Sequence, residues 1–139
     1  MDVSSLKKLA LEGDSEAQCN LADLYCDHTN AEFYDVTESM HWYGKAAEQG
    51  HTRAQWLLGA GYMQGLGVEK DLAKAEHWLI KSAQSGDPEA QYALSGLYMM
   101  KSDFVKAEYW LEMAINQGLN VREAKIILES IKLMLNSNI

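Results

Sequence analysis

Proline occurs once in the 139 residues, and cysteine and phenylalanine twice each. With that single proline, ten scattered glycines and 47% hydrophobic residues, no stretch is low in complexity and no tail has the composition of disorder. Long apolar runs are missing. The longest, such as Ile126-Ile127-Leu128, fall far short of the roughly 18 residues that cross a bilayer. The N-terminus (Met1-Asp2-Val3-Ser4-Ser5-Leu6-Lys7-Lys8) has no apolar core of about 7–15 residues after its lysines, so it does not read as a secretory signal. A cytoplasmic chain is expected. Cys19 and Cys26 lie seven residues apart in one predicted helix, about 10.5 Å along its axis. A disulfide needs Cα atoms within about 7 Å, so the pair stays reduced while the helix is intact, in keeping with a reducing compartment.

Positive charge is also scarce where it would matter for nucleic acid. Residues 12–48 hold nine acids (Glu12, Asp14, Glu16, Asp23, Asp27, Glu32, Asp35, Glu38, Glu48) against one base, Lys45. That segment carries the whole net charge of −8. Such a field repels nucleic acid and anionic membrane and favours a basic protein surface. A face kept acidic for solubility accounts for it too.

What is present is a repeat. Trp42, Trp78 and Trp110 each precede a glycine (Gly50, Gly86, Gly118) by eight residues. Related six-residue strings follow the glycines: Gly-Asp-Ser-Glu-Ala-Gln at 13–18, Gly-His-Thr-Arg-Ala-Gln at 50–55 and Gly-Asp-Pro-Glu-Ala-Gln at 86–91. Steps of 37 and 36 residues mark a stack of repeats. In each copy a first helix carries Ala, Leu and Tyr four residues apart on one face: Ala17-Leu21-Tyr25, Ala54-Leu58-Tyr62 and Ala90-Leu94-Tyr98. A small residue between them (Ala22, Gly59, Ser95) admits a neighbouring helix. In the second helix the tryptophan is expected to wedge against small residues of adjacent helices. Asp14 and Asp87 read as N-caps, with Pro88 at the first helical position.

The expected fold is all-α, a solenoid of stacked antiparallel helix pairs with about eight helices in one domain. Its parts are a capping helix within 1–13, repeats at 14–50, 51–86 and 87–118, and a terminal helix within 119–139. The terminal helix carries Ala124, Ile127, Leu128, Ile131 and Leu135 at helical spacing and a polar end at 136–138.

These residues resemble Sel1-like repeats, a branch of the tetratricopeptide-type helical solenoids. The second copy carries the likeness best: Ala54, Leu58-Gly59, Tyr62, Gly65-Leu66-Gly67-Val68, Asp71, Lys74-Ala75, Trp78, Lys81, Ala83 and Gly86. The first copy replaces the glycine turn with residues 27–35, and the third shortens it. The resemblance implies an adaptor or scaffold that binds other proteins without catalysis. Some bacterial members of this class regulate or neutralise toxins, so an immunity protein blocking a basic toxin is the alternative.

In such stacks the first helices line the concave side. Counted from the repeat alanine, positions −1, +2, +6, +9 and +10 share the side next to the buried face. They place Glu16, Cys19, Asp23 and Asp27 at an acidic end. Arg53, Trp56, Met63 and Gln64 follow, then Glu89, Tyr92, Met99 and Met100, making the rest aromatic and rich in methionine. The expected partner is a protein segment with basic and hydrophobic residues, and the methionine-rich groove would also support self-association. No nucleic-acid or membrane partner and no cofactor is expected. Phe33 and Tyr34 either fold back onto their own repeat or meet the partner. His28, His41, His51 and His77 form no metal-ligand spacing, and neither a nucleophile motif nor a catalytic carboxylate pair is present.

Overall fold

A computed structural model describes residues 1–137. Residues 138 and 139 lie outside the described residues, and with them the last position of the expected polar end. Eight helices run through the described chain: α1 Val3–Leu11, α2 Ser15–Cys26, α3 Val36–Glu48, α4 Thr52–Gln64, α5 Leu72–Gln84, α6 Pro88–Met100, α7 Phe104–Asn116 and α8 Arg122–Ser137. They stack in adjacent pairs. The chain divides into two compact units, Met1–Trp78 and Leu79–Ile139, with the boundary inside α5.

Local chemistry sets where the first helices start. Asp14 accepts a hydrogen bond from the Ala17 amide (2.8 Å) and Asp87 one from the Glu89 amide (2.9 Å), each worth about 1 kcal/mol as a cap. In the middle repeat His51 occupies that position, and its Nδ1 accepts from the Ala54 amide (3.2 Å). A second set of caps starts the second helices. Asp35, Asp71 and Asp103, each seven residues before a tryptophan, accept from amides of α3, α5 and α7. The amide of each of these aspartates also donates to the carbonyl of its own repeat tyrosine: Asp35 to Tyr25 (2.8 Å), Asp71 to Tyr62 (3.0 Å) and Asp103 to Tyr98 (2.9 Å). Connections of quite different length therefore leave and return at one anchor, which is how the first repeat accommodates its long loop.

The helix ends are closed by glycine. Gly50 lies at φ 91°, and its amide and that of His51 donate to Ala47 and Ala46 (3.0 and 3.1 Å). Within the second repeat Gly67, at φ 72°, lies so close to the Val36 carbonyl that a Cβ would collide with it. That turn admits no side chain.

In the first helices the repeat alanines and leucines are buried as expected, together with Ala22, Gly59 and Ser95. The second helices differ from expectation. Trp42 is buried at the margin, while Trp78 and Trp110 are only half-buried. The fully buried large side chains are those that follow the tryptophans: Tyr43, Leu79 and Leu111. Beside them lie Ser39, Ala75 and Ala107, all without exposure. Each tryptophan stays at the seam's edge against the ring before it, in T-shaped pairs with centroids 5.5, 5.0 and 5.1 Å apart (His41, His77, Tyr109).

The Ala-Gln pair of each repeat has a role the sequence left unassigned. Gln18, Gln55 and Gln91 are buried, and each Nε2 donates to a carbonyl near the end of the preceding helix: Ala10 (3.0 Å), Ala47 (3.2 Å) and Ala83 (3.1 Å). A side-chain amide thus ties each first helix to the helix before it. Gln18 Oε1 in turn accepts from Gln49 Nε2 (2.8 Å), whereas Gln91 Oε1 is buried without a partner.

Candidate partner-binding surface

In the first unit the expected groove positions Asp23 of α2 and Arg53 of α4 meet in an ion pair, and the α4 cap meets Glu16. Arg53 grips Asp23 with both guanidinium nitrogens (2.8 and 3.0 Å), a bidentate pairing. The Tyr43 hydroxyl donates to the same carboxylate from beneath. Burial, then the bond to Asp23, pushes the Tyr43 phenol well above its ordinary range, and the bond to Asp23 raises Arg53. One position along, Glu16 Oε2 meets His51 Nε2 at 2.7 Å. Because His51 Nδ1 accepts the Ala54 amide, the ring proton lies on Nε2 and points at Glu16.

Cys19 does not reach the surface. It is wholly buried, with Arg53 Nη1 3.3 Å from its sulfur, and burial followed by the Asp23 charge lifts its thiol to about 11. Cys26 is half-buried; its thiol donates to the Asp23 carbonyl (3.3 Å) and meets the Tyr43 hydroxyl at 3.5 Å. Both cysteines are free thiols. Asp27 is exposed but occupied: it accepts from the Thr29 amide (2.9 Å) and hydroxyl, which holds its carboxyl below the ordinary value. Of the acidic end drawn from sequence, Asp23 is paired with Arg53, Glu16 accepts a hydrogen bond from His51 and stays exposed, and Asp27 organises a turn. Phe33 turns back under Lys7, whose ammonium lies 5.8 Å from the ring centre, and Tyr34 next to it is exposed.

The remaining positions leave apolar surface open. Trp56 and Met63 on α4 are half-buried, and Gln64 and Arg53 are exposed. In the second unit Tyr92 and Met99 are half-buried on α6, while Glu89 is exposed and Met100 is 51% exposed. The register continues further than the sequence reading took it. Counted from Ala124, which is buried like the other repeat alanines, +2, +9 and +10 on α8 are Ile126, Leu133 and Met134. They are 58%, 69% and 44% exposed. Counting α8 as a fourth first helix, rather than only a cap, would have found them. Among the described residues no group of three or more His, Cys, Asp or Glu is placed to hold a metal ion, and no helix is long and apolar enough to cross a membrane.

The Sel1 repeat is matched three times in succession, by residues 15–51, 52–87 and 88–119. A comparison with curated proteins gives no match. Among solved structures, c5321, described as a protective antigen present in uropathogenic Escherichia coli strains displaying an SLR fold, is 37% identical with a TM-score of 0.77. The match covers 85% of this chain and 26% of that one, so this chain spans about a quarter of the antigen's length. A Sel1 repeat protein from Oxalobacter formigenes is 27% identical with the same TM-score, over 85% of this chain and 92% of that one. Three consecutive repeats and a shared helical stack place this chain in the Sel1 repeat family.

Proposed function

We propose that this chain is a non-catalytic adaptor that captures a protein segment on the outward side of its first helices. Sel1 repeat proteins generally act as protein-interaction scaffolds and are typically not catalysts. The observation that carries the reading here is the register. At +2, +9 and +10 the chain keeps Trp56, Met63, Tyr92, Met99, Met100, Ile126, Leu133 and Met134 partly or largely open. Apolar side chains recurring at fixed repeat positions mark, within each unit taken by itself, a surface meant to be covered, and methionines adapt to varied partners.

The partner is an amphipathic segment with apolar side chains and some basic ones. Exposed Glu89 and Glu123, both at −1, supply the acidic rim in the second unit. A toxin-neutralising role drew on a concentrated negative field, and the internal pairing of Asp23 with Arg53 takes one charge out of that field, which favours the adaptor instead. Free thiols suit a reducing compartment.

Peptide selection on the immobilised protein, followed by affinity measurement, tests the reading. Selected peptides should combine apolar and basic residues and lose at least about tenfold in affinity with Tyr92→Ala or Leu133→Asp, a loss of about 1.4 kcal/mol. Peptides that bind both folded variants like the parent would refute it.

A further inference from the structure

Two helices present faces that the other repeats cover. Leu6 of α1 lies seven residues before Gly13, as Tyr43, Leu79 and Leu111 lie before Gly50, Gly86 and Gly118. Those three are 2%, 0% and 0% exposed, and Tyr43 reaches the first helix of its own repeat through Asp23. Leu6 is only half-buried, and so is Leu9, whose counterparts Ala46, Ser82 and Ala114 have no exposure. Around them lies a depression of about 200 Å³, lined by Met1, Leu6 and Leu9 together with Asp14, Glu16 and Asn20. This is the side on which a second helix takes a first helix.

The complementary side is open on α8. In the first repeat, α3 packs along the +2, +5 and +9 side of α2. Cys19 has no exposure, the Ser39 hydroxyl donates to the Ala22 carbonyl (2.7 Å), and Cys26 meets Tyr43 at 3.5 Å. On α8 that side carries Ile126 and Leu133, both largely exposed. Leu128 is half-buried where Leu21, Leu58 and Leu94 are buried. Thus α8 shows the face that receives a second helix, and α1 the face that receives a first.

Charge separates the ways these faces could meet. Residues 1–27 hold six acids against two lysines, whereas α8 holds three bases against two acids. Two α1 ends repel one another, and an α1 end attracts an α8. Glu129 stands where the internal repeats keep Ala22, Gly59 and Ser95, so this seam is wider than an internal one and the contact dissociates readily.

We infer that the occupant of α8 is a second copy of this chain, whose α1 lies along Ile126 and Leu133 and takes them against Met1, Leu6 and Leu9. The contact is heterologous: each copy offers two different faces, and association need not stop at two. It does not rest on peptide capture. Leu6 and Asn20 are outside the proposed peptide surface and Tyr92 is outside this one, so either reading can fail alone.

Analytical ultracentrifugation of the intact chain from about 10 μM to about 1 mM tests it, and the average mass should rise with concentration. Leu6→Asp and Leu133→Asp should each weaken association at least about tenfold. An equal mixture of the two should form 1:1 dimers that grow no further, because each variant keeps one intact face. Should circular dichroism show Leu6→Asp losing helix, Asn20→Arg replaces it, since Asn20 is exposed and its arginine would cover the same depression. A single-chain mass throughout, parent-like association by either variant alone, or a mixture that stays monomeric would each overturn the inference.

Discussion

The three buried glutamines make an internal comparison that can be worked through. Gln18 makes two side-chain hydrogen bonds, to the Ala10 carbonyl and from Gln49. Gln18→Met removes both, at about 0.5–1.5 kcal/mol each. Neither partner is left stranded, because Ala10 still receives the Gly13 amide and exposed Gln49 returns to water. The expected cost is about 1–2 kcal/mol. Gln91 differs: one bond, to Ala83, and a buried oxygen with no partner. Gln91→Met loses about 1 kcal/mol with the bond but removes an unsatisfied acceptor that costs about 1–3 kcal/mol, so it should be neutral or stabilising. The two variants should therefore differ by about 2 kcal/mol, or about 1 M in urea midpoint at a slope near 2 kcal/mol per molar. Urea titrations followed by far-ultraviolet circular dichroism read this directly. If Gln91→Met falls as far as Gln18→Met, the reasoning is refuted: Gln91 Oε1 then has a donor in solution, the obvious one being Gln117, which precedes Gly118 as Gln49 precedes Gly50.

Other consequences follow from particular residues. Cys19 titrates from an ordinary 9.0 up to about 11 in the folded chain. Between those values the unfolded chain releases a proton that the folded chain keeps. Stability is therefore full below about pH 9 and falls as pH rises toward about 11. Urea midpoints across that range should drop more for the parent than for Cys19→Ala, and an equal drop would remove Cys19 as the cause. A thiol reagent at neutral pH should label half-buried Cys26 and spare Cys19. Gly67→Ala combines a left-handed backbone with a collision at Val36 and should cost at least about 2 kcal/mol, whereas Gly118→Ala, with open space around it, should cost only about 1 kcal/mol in the same titration.

Much of the fold was legible because helical registers are local. Ala17, Leu21 and Tyr25 declare one face by spacing alone, and Asp14 and Pro88 declare a helix start. The core of the second helices was half read: Trp42 is buried as expected, but Trp78 and Trp110 lie less deep than the residue after each. Tyr43, Leu79 and Leu111 fill the seam, Trp42 joins the core at its margin, and Trp78 and Trp110 stay half-buried. The candidate surface was half legible. Outward apolar positions follow from register, but Asp23 and Arg53 are 30 residues apart, and nothing in the spacing says that their charges cancel.

The glutamine tie reaches back only eight residues, from Gln18 to Ala10, Gln55 to Ala47 and Gln91 to Ala83. Each of these three junctions is thus encoded within one short string of sequence, and that string travels with the helix it joins. A duplication or deletion whose ends fall at equivalent points of two repeats would carry a complete joint with it and leave no orphaned seam. Growth and loss of whole repeats should be cheap for such a chain over generations, and a relative more than three times as long can share its fold.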